Sequence, residues 1–375
     1  MKALVFDALK NNWEDSSGFD LVDVPKPGLS KGDEKKVIIK VSYAGVCGTD
    51  KGIWKRMVFK EQILGSLKEE RKTKRIIGHE FFGEILEVGS MVRGLKPGDP
   101  VSCESHVVCG KCYQCKLGEK QVCTNEKILG ISMDGGFAEY VKVPSHIVWK
   151  TDLKKIRPEI AAIQEPFGNA VHAATKVDLK GKTVAIFGIG SIGQFLTTVA
   201  KGLGASQIIG LDVNKKALDT GKRLGLDQSI LLKQGKGYKQ QPDVVNKLRE
   251  LTAGVGPDVC FEMSGHNSAV NNAIYSVRRG GHVVLFGLKN DNFIFEDFNR
   301  MVMKGLTLHA VAGRQIWHTW ETTRGLLEDP KNGVQKDVWN IVLKNGKGTI
   351  LDIDSFSKKT FEKMMHENSK FLIKF

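Results

Sequence analysis

The chain has 375 residues, with 56 Lys and Arg against 42 Asp and Glu, a net charge of +14. That length suits two domains. The charge is scattered, and the one dense stretch, residues 68–75 (KEERKTKR), also holds two glutamates, which argues against a nucleic-acid protein and for a solvated surface favouring anionic ligands such as a dinucleotide.

Residues 1–160 begin with MKALVFDALK, which has no long apolar run of the secretory kind. No stretch approaches ~18 continuous apolar residues, so no membrane span is expected. Short alternating runs such as 37–41 (VIIKV), with frequent Gly and Pro turns, predict a β-rich domain. Residues 54–75 mix basic and apolar positions and are expected to be partly helical. Seven Cys, four of them within 15 positions, make a poor disulfide framework and a good metal site, in a reducing cytoplasm.

Those four are Cys109, Cys112, Cys115 and Cys123. Four thiolates at such spacing close a tetrahedral Zn²⁺ shell with no open position, so the expected metal is structural. An iron–sulfur cluster is the competing reading. A second metal candidate is dispersed: Cys47 follows a strand, His79 and Glu80 precede an apolar run, and Glu165 lies at the junction into the next domain. A catalytic zinc needs about three protein ligands and an open position. Singly, each residue reads equally as a buried thiol, a core histidine or a surface carboxylate.

From about 160 to 300, apolar runs at 183–187, 207–211, 229–232, 258–262, 282–286 and 307–311 alternate with helical patterns. Ile192, Phe195, Leu196, Val199, Ala200 and Leu203 fall on one helical face. The expected fold class is α/β, with a six-stranded, doubly wound parallel sheet. Gly188, Gly190, Ser191, Ile192 and Gly193 carry G-x-G-x-x-G between the first strand and this helix. Here the glycines admit a pyrophosphate to backbone N–H groups at a helix N-terminus. Asp212 ends the second strand 24 positions after Gly188. Its carboxylate suits ribose hydroxyls and disfavours a 2′-phosphate, so NAD is expected over NADP. The tail, 313–375, is mixed α and β without a motif of its own.

In order, C-G-T-D (47–50), G-H-E (78–80), the four-Cys lobe, G-G-F-A-E-Y (135–140), E-P-F-G (165–168), G-x-G-x-x-G and the terminal Asp resemble the zinc-containing medium-chain dehydrogenases over nearly the whole chain. Residues 102–106, 165–172, 261–265 and 313–314 are most similar to the L-threonine 3-dehydrogenase branch, which shares many features with polyol and sugar dehydrogenases. The resemblance implies a GroES-like catalytic domain over 1–160, completed by 313–375, and a Rossmann NAD domain over 161–312. It implies one catalytic and one structural zinc, a small-molecule alcohol substrate and a cytoplasmic homotetramer. Cys47, His79 and Glu80 match the catalytic zinc positions, and Glu165 matches an exchangeable ligand or a carboxylate behind them. Thr49 matches the hydroxyl that starts a proton relay, and His106 a histidine near the substrate. Phe286, Gly287 and Leu288 match a loop beside the nicotinamide; Arg314 joins the cofactor set. The chain departs at Gly52, where those branches usually carry a relay His, and the link from Thr49 to His79 is longer than usual. Threonine, another amino alcohol, a polyol and an inositol or sugar derivative all remain open as substrates. The alternative of another class is a non-catalytic dinucleotide-binding zinc protein.

Overall fold

The computed structural model describes residues 1–233, 237–288 and 292–375. They form two compact units, Met1–Pro166 with Leu343–Phe375, and Phe167–Val342. Among the described residues no helix is long and apolar enough to cross a membrane.

The first unit opens with strands β1 (Lys2–Asp7), β2 (Asp20–Asp23) and β3 (Lys36–Gly45), helices α1 (Gly48–Trp54) and α2 (Lys60–Glu70), and strands β4 (Lys74–Ile76) and β5 (Glu80–Val88). Strand β6 (Pro100–Cys103), β7 (His106–Val107), helix α3 (Tyr113–Lys116), β8 (Lys127–Ile128), β9 (Tyr140–Pro144), β10 (Val148–Lys150) and α4 (Pro158–Ala161) follow. In β3 Val37, Ile39 and Val41 face the core, while on the other face Ile38 is also buried and Lys40 is exposed. The partly helical stretch is α2, bounded by left-handed Phe59 and Arg71.

Helix α5 (Gln164–Ala174) leads into the second unit, which is strictly alternating: β11 (Thr183–Phe187), α6 (Ser191–Gly202), β12 (Gln207–Asp212), α7 (Lys215–Leu224), β13 (Gln228–Leu231), α8 (Pro242–Leu251), β14 (Val259–Glu262), α9 (Asn267–Ser276), β15 (His282–Leu285), α10 (Phe298–Lys304) and β16 (Thr307–Ala310). All pairings are parallel, in the order β13-β12-β11-β14-β15-β16. The order reverses between β11 and β14, the switch point where such sheets bind ligands beyond their carboxyl ends. Strand β11 is buried on both faces, which explains its continuous apolar run.

The tail divides later than its expected start at 313. Helices α11 (His318–Glu328) and α12 (Val334–Asp337) and the π-helix Val338–Val342 pack with the second unit. Their apolar faces bury Trp320, Leu327, Val334 and Val338, and Leu326 and Val334 close on Gly202 of α6. Only the remainder, with β17 (Ile350–Asp352), α13 (Lys358–Glu367) and β18 (Leu372–Lys374), completes the first unit. There β18 pairs with β3 in a seven-stranded sheet, β10-β6-β5-β3-β18-β17 with β9 also on β3. Trp54 of α1 stacks on Phe361 of α13, with ring centroids 4.6 Å apart and planes 17° apart. That contact fixes the helix whose N-terminus carries Cys47.

Candidate active site

Strands β3 and β5 run antiparallel with Gly45 opposite Glu80. Cys47 therefore emerges just beyond the point where His79 enters β5. Only glycine fits at 45, because a Cβ there would collide with the Glu80 carboxylate. The Cys47 thiol, a His79 ring nitrogen and a Glu80 carboxylate oxygen all lie within 4.8 Å of one another. His79 and Glu80 are buried.

Two residues that the motif reading passed over hold this group. Asp50, fully buried, accepts the Cys47 backbone N–H at 2.8 Å through Oδ2 and places Oδ1 3.5 Å from His79 Nδ1. Lys370, also buried, donates to the Val46 carbonyl at 3.2 Å and to Glu80 Oε2. Burial pushes the Asp50 carboxyl up to about 6, against the pull of His79. Burial lowers the His79 pKa, but Asp50, Cys47 and Glu165 outweigh it and carry the value to about 10. The His79 shift reflects the anionic groups around it, and the Asp50 shift its burial.

The donor set fits zinc. A thiol, an imidazole and a carboxylate converge, and Glu80 Oε1 is buried with no hydrogen-bond partner. Buried polar atoms of native proteins are nearly always satisfied, so an orphan oxygen here marks a ligand position. Glu165 is not part of the three-residue group. It is buried at the start of α5 and accepts a hydrogen bond from Ser105 Oγ at 2.6 Å. His106 sits on β7 with Nδ1 2.6 Å from Glu126 Oε2, and its backbone N–H is held by Glu104. Thr49 lies in the first turn of α1, partly exposed. At Gly52 a Cβ would stand 2.7 Å from Val58 Cγ2, so Val58 fills the space that a larger side chain would claim.

Cys109, Cys112, Cys115 and Cys123 form the second group, all four sulfurs mutually within 4.8 Å. Sγ–Sγ separations of 3.5 Å (Cys109–Cys123) and 3.7 Å (Cys112–Cys123) exceed a disulfide bond. They approach the spacing of about 3.8 Å that a tetrahedron of Zn–S bonds imposes. Backbone N–H groups point at the sulfurs, Cys112 N–H to Cys109 Sγ and Cys109 N–H to Cys123 Sγ. Such donors, that of Cys115 first, pull the Cys112 thiol down to about 6.

In the second unit the glycine loop leaves β11 and opens α6. Gly188 has φ +97° and lies against Ser264, while Gly193 abuts the Gly188 carbonyl. A Cβ at Gly190 would meet nothing within 4 Å, so that side of the loop is open to a ligand. Ser191 and Ile192 begin α6 and present N–H groups of its first turn. Asp212 accepts the backbone N–H of Ile189 at 2.6 Å and of Asn214 at 2.7 Å, so it also shapes the loop. Glu262 gathers the Ser264 N–H and hydroxyl and the Gly265 N–H on one oxygen. That turn packs on Gly287 and the Leu288 carbonyl, just beyond Phe286. Arg314 is buried and donates to Asn169 Oδ1 at 2.8 Å, and His172 Nδ1 lies 2.9 Å from the Gly313 carbonyl. Asn169 and His172 are thus tied to the 313–314 stretch within the second unit.

Residues 33–153 match the family model of the alcohol dehydrogenase GroES-like domain, and 191–329 that of the zinc-binding dehydrogenases. The chain is 37% identical over 320 residues to an L-threonine 3-dehydrogenase of Caldanaerobacter subterraneus subsp. tengcongensis, covering 85% of this chain and 87% of that one. It is 39% identical over 313 residues to an L-threonine 3-dehydrogenase of Symbiobacterium thermophilum, covering 84% of each. Galactitol-1-phosphate dehydrogenase from Escherichia coli shares the fold, with TM-score 0.81 at 24% identity over the full length of both chains. The expected GroES-like and Rossmann architecture is thereby borne out, and the chain belongs to the zinc-dependent medium-chain dehydrogenases, a threonine-dehydrogenase-like alcohol oxidoreductase.

Proposed function

We propose that the chain oxidises the secondary hydroxyl of an L-threonine-like amino alcohol to a ketone, with NAD as hydride acceptor. The observation that carries this reading is the convergence of Cys47, His79 and Glu80 around an unpartnered buried oxygen, in a chain 37% and 39% identical to L-threonine 3-dehydrogenases.

In this reading Cys47, His79 and Glu80 hold the catalytic zinc, with Glu165 as the exchangeable carboxylate. Cys109, Cys112, Cys115 and Cys123 hold the structural one. Zinc at the first site supplies Lewis acidity that eases loss of the alcohol proton, and NAD supplies the carbon that accepts hydride. The chain's own residues do the positioning. Asp50 orients Cys47 and His79, and Lys370 balances and anchors Glu80. The Thr49 hydroxyl takes up the alcohol proton, and with Gly52 beyond it the proton leaves through water. The loop Gly188–Gly190–Gly193, with the Ser191 and Ile192 N–H groups, receives the pyrophosphate. Asp212 keeps a lone pair on each oxygen for ribose hydroxyls beyond its two backbone bonds. Phe286, Gly287 and Leu288 border the nicotinamide, and Arg314 fixes Asn169 behind it. His106, aligned by Glu126, contacts substrate.

A polyol substrate is the second reading; Gly52, with Val58 filling the space beside it, departs from the relay His of the threonine and polyol branches alike. Steady-state NADH formation over L-threonine, other amino alcohols and polyols, with NAD and NADP in parallel, tests both. Highest kcat/KM with L-threonine and NAD supports the first reading. Turnover of none of them would favour a non-catalytic dinucleotide-binding protein. Seven free thiols fit a reducing cytoplasm, and the family resemblance favours a homotetramer, which light scattering checks.

A further inference from the structure

At the amino ends of β14 and β15, opposite the edge that bears the glycine loop, the second unit has a concavity of about 420 Å³. Its wall carries five cationic side chains, Arg249, Arg278, Arg279, Arg300 and Lys304, and no acidic one. The helices α8, α9 and α10 all end there, since Arg249 and Lys304 lie in last turns and Arg278 and Arg279 follow Ser276. Cations at helix C-termini are ordinarily explained by the dipole and by free carbonyls.

That explanation accounts for part of the set. Lys304 Nζ donates to the carbonyls of Ile274 and Tyr275 at 2.9 and 3.1 Å, and Arg279 to that of Met303 at 3.0 Å. Asp258 neutralises Arg278 at 2.6 Å and Asp297 meets Arg300 at 3.3 Å. Three of the five charges have no carboxylate, and among the described residues the Arg249 side chain makes no hydrogen bond or ion pair. Ser276, in the same wall, is buried with its hydroxyl unpartnered. Burial first, with Arg249, Arg300 and Arg279 acting the same way against the pull of Cys260, brings the Lys304 ammonium down to about 8.

We infer that this concavity is a second anion site, one that takes a small oligophosphate, pyrophosphate or the phosphate chain of a nucleotide. Guanidinium groups match phosphate oxygens in pairs. The volume exceeds what one orthophosphate fills; among the described residues no aromatic side chain lines it, and the ring of neighbouring Tyr275 is covered by Arg300 at 4.1 Å. Recognition therefore rests on the phosphates and not on a stacked base. The strands of the sheet separate this site from the glycine loop by roughly 13–16 Å, so both can be filled at once.

The test is calorimetric titration of the zinc-loaded enzyme, saturated with NAD to occupy the dinucleotide loop, with inorganic pyrophosphate and tripolyphosphate as probes. Sulfate at matched ionic strength is the control. Saturable 1:1 binding is expected, tighter for tripolyphosphate than for sulfate. Arg249→Gln should weaken it about tenfold, the effect of one charge-assisted bond, and Arg249→Gln with Arg279→Gln further, with the KM for NAD unchanged in both. Equal affinity in parent and Arg249→Gln, or binding no tighter than that of sulfate, would overturn the inference and leave the arginines as helix-end partners only.

Discussion

Replacing Lys370 by Met removes the counter-charge of Glu80. Lys370 is 1% exposed and Glu80 0%, and the ammonium bridges Glu80 Oε2 and the Val46 carbonyl. Methionine preserves most of the volume, so the loss is electrostatic. A carboxylate left buried without its partner costs ~3–5 kcal/mol, a fifth or more of a typical domain stability of about 5–15 kcal/mol. Urea unfolding of the zinc-free protein, in which no metal shares the Glu80 charge, followed by circular dichroism, reads this as a lower midpoint at unchanged slope. Lys370→Met with Glu80→Gln should recover most of the loss, because removing both partners of a buried pair is close to neutral. A single variant within about 1 kcal/mol of the parent would refute the assignment of Lys370 as the ion that holds Glu80. So would a double variant no more stable than the single.

Restoring a relay histidine meets a steric obstacle. Gly52→His puts Cβ 2.7 Å from Val58 Cγ2, and overpacking of that kind costs ~1–3 kcal/mol. The melting temperature should fall and recover with Val58→Ala; an unchanged melting temperature in the single variant would contradict the packing. His172 sets a pH dependence: burial pulls its pKa to about 4, below the unfolded value near 6.5. The folded state keeps the imidazole neutral while the unfolded state takes up a proton. This contribution is whole above about pH 6.5 and lost as pH falls toward 4, at most ~3 kcal/mol. His172→Gln should therefore lose less stability than the parent between pH 7 and pH 4.5 in urea titrations; parallel losses would contradict it.

Most of the second unit was legible because its signals are local. The central strands β11 and β14, buried on both faces, are apolar along most of their length, and the part-exposed edge strands β13 and β16 still keep short apolar runs, so 183–187 and its five counterparts mark the sheet to within a residue or so. The glycine loop and the four-Cys lobe are likewise contained in short windows. What escaped depends on distant residues. Lys370 lies 290 positions from Glu80, and nothing in its neighbourhood signals a lysine that will be buried. Asp50 was visible as part of C-G-T-D, but its grip on His79 exists only once β5 is beside α1. Val58 reaches Gly52 because Arg56 and Phe59 adopt left-handed backbone, a choice that non-glycine residues do not advertise. Residues 313–342 carry apolar helices with no motif, and either unit could have covered them; the face of α6 did.

The central claim is a zinc-dependent alcohol oxidoreductase whose catalytic metal is held by Cys47, His79 and Glu80. Zinc per chain, measured by atomic emission alongside NADH formation in the parent and in Cys47→Ala, tests it most directly. The account predicts that the zinc of one of the two ligand groups is lost together with alcohol-dependent turnover, while that of the four-Cys lobe stays. A Cys47→Ala protein with undiminished zinc and undiminished turnover would contradict it.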